Sequence, residues 1–260
     1  MNNKITLVLA GLALLSMTSC IEDFLFVKGN GQIETELRGN NMFDQIDNST
    51  SCNIIYRKAD TASILITAEQ NILDHIVTEV CNHKLEIRIR PLGIILDYSK
   101  RPEITVTSPS LNEVNLSGSG SLSADEMSGT SVSARVSGSG NIEVNRINCT
   151  DLSAMVSGSG DIALKVAECT YSDISTSGSG TISVTGQCDK ENARISGSGK
   201  IDGRNFLTNS ATMSISGSGN IYGNVKDYLK ATISGSGDIY LYGNPQIDQK
   251  RSGSGKIKKQ

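Results

Sequence analysis

A chain of 260 residues is long enough for one or two domains. Its formal net charge of −3 offers no basic footprint and argues against nucleic acid as a partner. Charged residues make up 20% of it, so composition does not dictate disorder despite 26 glycines.

Residues 1–19 read as a secretory signal. MNNK supplies a positive leader, and Ile5 to Leu15 is an apolar run of signal-peptide length. That run is too short for a membrane-spanning helix, which takes about 20 apolar residues. It ends in MTSC, with small residues ahead of Cys20. This resembles a bacterial lipobox, with Met17 where leucine is more usual. The resemblance implies cleavage before Cys20 and a diacylglycerol carried on its thioether. An ordinary secretory signal with a chance cysteine is the bland alternative. Acylation would anchor the chain to a membrane without spanning it, residues 20–26 serving as the tether. Glu22 and Asp23 resemble the acidic pair of lipoproteins that Gram-negative gut bacteria export to the cell surface.

Residues 27–116 hold strand-like runs, SILIT at 63–67, KLEIRIR at 84–90 and EITVT at 103–107, with EQNILDHI at 69–76 as a short helical turn. From Ser117 the string SGSG returns eight times, starting at Ser117, Ser137, Ser157, Ser177, Ser196, Ser216, Ser234 and Ser252. The intervals of 20, 20, 20, 19, 20, 18 and 18 residues are a clock that flexible linkers lack. A fixed period near 20 predicts stacked coils.

Aligning the repeats on the second glycine gives columns. Leu122, Ile142, Ile162, Ile182, Ile201, Ile221, Ile239 and Ile257 form an apolar ladder two places after it. The place between reads Ser121, Asn141, Asp161, Thr181, Lys200, Asn220, Asp238 and Lys256, all polar. The place before each SGSG is apolar in six of the eight coils, from Leu116 to Ile233, with Thr176 and Arg251 as exceptions. Alternation with period two on both sides means strand, and SGSG is then the corner between two strands. Glycine tolerates unusual φ/ψ there, and small serines let corners stack at the ~4.8 Å strand spacing. No lysine follows the motif as in a phosphate loop and no helix begins there, so the motif reads as architecture.

The pattern extends upstream in worn form. STSCNI at 49–54 matches SGSGNI with Thr50 and Cys52 at the glycine places, and GNGQI at 29–33 is a fainter echo. Residues 27–116 therefore read as irregular coils that cap a regular array over 117–260, a separate small domain being the alternative.

SGSGNI, SGSGDI and SGSGKI repeats behind a lipoprotein signal resemble the "putative auto-transporter adhesin head domain", or GIN domain, family. FDQIDNSTSCNIIY at 43–56 is similar to that family's entry segment, with Cys52 departing from it. The similarity runs from about residue 27 to the last residue. It implies an all-β, right-handed parallel β-solenoid with coils of about 20 residues, on the bacterial surface. It carries over no catalytic residues.

A repeated calcium ladder is disfavoured, because the column after SGSG holds two aspartates, Asp161 and Asp238, beside Lys200 and Lys256. Cys149, Cys169 and Cys188 should share one column on consecutive rungs, as a ladder of free thiols or as one disulfide with a spare thiol. His75, Cys81 and His83 fit no common zinc spacing. No metal or other cofactor is expected. Both histidines lie upstream of the repeats, which leaves a Ser-His-Asp triad there without a base. Scattered charges also give no carboxylate pair in a groove, so the chain reads as no enzyme. Tyr222 and Tyr240 fall in the outward register of adjacent rungs, with Tyr242 nearby, and suit contact with a sugar ring or a protein surface. Packing that merely stabilises the outer face is the plainer account. The expected function is a non-enzymatic, lipid-anchored, adhesin-like or structural module of the outer membrane, facing the periplasm or the exterior. A polysaccharide-binding or polysaccharide-processing member of a surface uptake system is the alternative. The expected partners are the membrane, through Cys20, and a surface glycan or protein.

Overall fold

The structure, a computed structural model, describes residues 25–260. It is nearly all-β, wound into a β-solenoid of about seven turns of stacked parallel coils. A coil runs up to an SGSG corner, leaves it as a second strand, and returns through a third segment that leads into the next corner. Asp161–Val166 and Cys169–Thr176 belong to one such circuit, and Thr181–Gly197 stacks on both as the next. Register between coils follows the repeat: Ile142 faces Leu122 and Ile162, and Ile182 faces Ile162 and Ile201. The ladder from Leu122 to Ile239 is at most 1% exposed at every rung. Each such side chain, fully buried, contributes about 1.5–3 kcal/mol.

The corners explain the motif, by a route that differs in part from the sequence argument. Gly158 has no left-handed backbone; what it needs is room. A Cβ there would lie 2.0 Å from the carbonyl oxygen of Gly138, and Gly138 stands in the same relation to Gly118 at 2.3 Å. Only in the later coils does the backbone also turn to positive φ, as at Gly217 with φ 147°. The close approach makes hydrogen bonds. Ser159 N–H and Gly160 N–H both donate to Gly138 O, at 3.1 and 3.3 Å, and the next corner repeats the pair. At the last two corners serine hydroxyls also bond from rung to rung, Ser254 Oγ to Ser236 Oγ at 3.2 Å. STSC at 49–52 is indeed a corner of this stack, since Gly118 and Gly120 sit against the carbonyls of Thr50 and Cys52.

The polar column after each corner has a use that alternation alone does not reveal. Asn141 Oδ1 accepts from the N–H of Asp161 at 3.1 Å, and Asp161 Oδ1 accepts from the N–H of Thr181 at 2.9 Å. Asn220 and Asp238 repeat the arrangement towards Asp238 N–H and Lys256 N–H. Asp161→Ala should therefore lower stability by about 1 kcal/mol, the net worth of one such bond. Urea unfolding measures it, and an unchanged midpoint would mean that water replaces the carboxylate fully.

Upstream the coils give way to antiparallel pairing. Ile33–Gly39 pairs with Ser63–Glu69, which pairs with Glu103–Ser108, and only then does the parallel stack begin, through Asn53–Lys58. Residues 29–33 thus lead into an antiparallel strand and make no corner. Gly29 instead lies against the buried Glu69, whose carboxylate accepts from Gly31 N–H at 2.8 Å and from Ser99 N–H and Oγ–H at 3.1 and 3.0 Å. The short helix Gln70–Leu73 buries Ile72 and Leu73 in the same core as the coils. At the other end Arg251, Lys256, Lys258 and Lys259 leave the last rung charged and exposed.

Candidate functional site

The tyrosines singled out by register do meet. Tyr222 and Tyr240 are Cα partners on adjacent rungs, and their rings stack with centroids 4.5 Å apart and planes within 7°. The rung before Tyr222 carries Lys200 and Arg204, whose cationic groups lie 4.9 and 4.8 Å from the Tyr222 centroid. The rung after Tyr240 carries Lys258, with Nζ 5.1 Å from the Tyr240 centroid. The result is a pile of cation, ring, ring and cation, in which each cation adds about 0.5–1 kcal/mol at such exposed positions. Asp202 clamps its N-terminal end, accepting from Arg204 Nε at 2.8 Å and Nη2 at 2.9 Å and pairing with Lys200 at 2.9 Å. Partial burial raises the Asp202 carboxyl, but the bonds from Arg204 and Lys200 outweigh it and hold it below the usual carboxylate range. Both faces of both rings are thus covered, leaving edges and hydroxyls. Tyr242 stands beside the pile, in register with Asn224.

The cysteine column assembles in part. Cys169 and Cys188 are buried Cα partners, while Cys149 is half-buried one coil earlier; all are free thiols. The two buried thiols are within hydrogen-bonding reach, and the contact that pushes Cys169 up pulls Cys188 down. Cys188 Sγ–H also points at Lys190 O, 3.2 Å away. Three residues on, Glu191 turns into the core, where its Oε2 has no hydrogen-bond partner, as is also true of Ser172 Oγ. Burial, reinforced by Cys188, pushes the Glu191 carboxyl up to about 8. This polar seam crosses an interior that is mostly apolar, and composition gave no hint of it. His75 Nδ1 lies 3.0 Å from Arg90 O, and among the described residues no group of three or more His, Cys, Asp or Glu could hold a metal ion. Cys20 lies outside the described residues.

A surface feature missed by sequence reading lies where the third segment of each coil runs into the strand before the corner. Outward side chains there form two columns over an inward one. Ser131, Asp151, Tyr171, Lys190, Ser210 and Tyr228 make the first. Ser133, Ser153, Asp173, Asn192, Thr212 and Lys230 make the second. Between them runs a trough along the solenoid axis, a depression of about 620 Å³ joined at Tyr171 to one of about 450 Å³. Tyr171 and Tyr228 are 40% and 39% exposed, against the covered rings of the pile. Applying the repeat register to every tyrosine, rather than to neighbours in sequence, is the signal that finds them.

A family model described as "Putative auto-transporter adhesin, head GIN domain" matches residues 42–245. A crystal structure titled as a putative lipid binding protein from Parabacteroides distasonis is 29% identical, with TM-score 0.84, covering 90% of this chain and 99% of its own. A putative adhesin from Parabacteroides merdae has TM-score 0.85 at 23% identity over 90% and 99%. One from Bacteroides fragilis has TM-score 0.69 at 23% identity over 90% and 100%. At that identity the last two speak for the fold alone. Among proteins with curated descriptions, none matches.

Proposed function

The chain belongs to the auto-transporter adhesin head GIN-domain family, and from that premise we propose that it is a non-enzymatic interaction module, held at the cell surface by a lipid on Cys20. The observation that carries the reading is the trough, which offers exposed aromatic and hydrogen-bonding side chains on a stiff stack. Stiffness matters because side chains set in a hydrogen-bonded ladder lose little freedom when a partner binds. Two carboxylates that line the trough, Glu113 and Asp173, are matched with opposite charges. Glu113 bonds to Arg135 Nη1 at 3.1 Å, and Arg194 Nη2 reaches both oxygens of Asp173 at 2.8 and 2.9 Å. The covered Tyr222–Tyr240 pile, with Tyr242, is a secondary contact that presents only ring edges and hydroxyls.

For the anchor the support is the MTSC string behind the apolar run from Ile5 to Leu15. In cells fed radiolabelled fatty acid, Cys20→Ala should abolish labelling and release the protein from membranes. Labelling that survives the change would overturn the anchor and leave the interaction reading untouched.

A further inference from the structure

Resting on the reading of the trough as the contact face, we propose that its ligand is an uncharged oligosaccharide, with Tyr171 and Tyr228 as the two stacking platforms. The repeat register places them in one column, with Lys190 and Ser210 between. Three rungs at ~4.8 Å set the rings ~14 Å apart along the axis, a span suited to a short run of linked sugar rings. Each ring is about two-fifths exposed, and neither carries the stacked partner or cation that covers Tyr222 and Tyr240.

The chemistry between the platforms suits hydroxyls. Ser210, Asn192 and Thr212 supply donors and acceptors on the trough walls. A sugar ring presents an apolar face to an aromatic side chain and hydroxyls around its rim, so stacking and edge bonding are satisfied together. The charge balance chooses within the class. Glu113 and Asp173 are neutralised by Arg135 and Arg194, and the charges left along the two columns are Asp151, Lys190 and Lys230, a single cation in excess. One cation in excess is a weak lure for a polyanion and repels a polycation, whereas the hydroxyls and ring faces suit an uncharged chain. An extended peptide is served less well, because the strands flanking the trough already pair with one another and offer it no open edge.

The test uses the full-length protein on an array of neutral oligosaccharides from trisaccharide to hexasaccharide. The strongest binder is then titrated against wild type, Tyr171→Ala, Tyr228→Ala and, as a control at an exposed residue away from both trough and pile, Leu92→Ala, with melting temperatures recorded for each. The expected result is array binding that Tyr171→Ala and Tyr228→Ala each weaken about tenfold, and Leu92→Ala leaves unchanged, at unaltered melting temperature. Array signals at background, or binding indifferent to Tyr171 and Tyr228, would overturn the proposal. Beads coated with the same protein and offered to bacterial and epithelial cells separate the two readings. Adhesion without saccharide binding sinks the oligosaccharide and spares the interaction module. Absence of both sinks the module as well.

Discussion

Gly158→Val is expected to unfold the centre of the solenoid, with a loss above about 3 kcal/mol, beyond the usual range for overpacking. The new Cβ would sit 2.0 Å from Gly138 O and 2.9 Å from its carbon. That carbonyl cannot step aside, because Ser159 and Gly160 N–H both donate to it and Gly158 O serves the next rung in the same way. A shift at one corner therefore propagates along the stack. Gly39→Ala is the matched control: nothing lies within 4 Å of its Cβ position and its φ is not left-handed, so it should change stability little. Equilibrium urea unfolding of the two variants checks the pair. Equal midpoints would mean that the corners are not close-packed.

The second large effect is a dependence of stability on pH, set by Glu191. Its carboxyl moves from the ordinary value near 4.5 to about 8 in the folded chain, chiefly through burial. The folded state thus keeps a proton across a window in which the unfolded state has lost it. Stability contributed by this group is complete below about pH 4.5 and is lost as pH rises towards 8, at about 1.4 kcal/mol per unit. Glu191→Gln removes the titration, so its stability should stay flatter across the window and exceed that of wild type by a few kcal/mol at pH 8. Urea midpoints at pH 5, 6.5 and 8 give the comparison. Parallel curves for the two proteins would show that the carboxyl is already ionised in the fold.

Much of this architecture is legible from residue order, and the reasons are local. The SGSG clock and the alternating columns from Leu122 to Ile239 state the strand, its buried face and the register at once, because every coil repeats one solution. Even the worn corner STSC could be read, since Thr50 and Cys52 keep the spacing although not the glycines. The antiparallel cap could not. Alternation in SILIT or EITVT says strand but is silent on direction, and residues 29–33 echo a corner while Gly29 serves the buried Glu69. Glu191 was hidden for a related reason. It occupies the inward column shared with Leu152 and Leu229, where period two predicts an apolar residue. For the sites, Tyr222 and Tyr240 were found because both follow the same corner by three places, yet their covered faces depend on Lys200, Arg204 and Lys258 reaching across rungs. Tyr171 and Tyr228 stand in no shared motif and become neighbours of one trough only after three rungs are stacked.

The claim that the repeated corner builds the rod while the trough meets the partner is tested most directly by residue-resolved hydrogen exchange. The full-length protein would be followed with and without the neutral oligosaccharide selected on the array. Added protection is expected at the rungs around Tyr171, Lys190, Ser210 and Tyr228, with the amides of the Ser157, Ser177, Ser196 and Ser216 corners unchanged. Protection that gathers at those corners, leaving the trough as it was, would contradict the account.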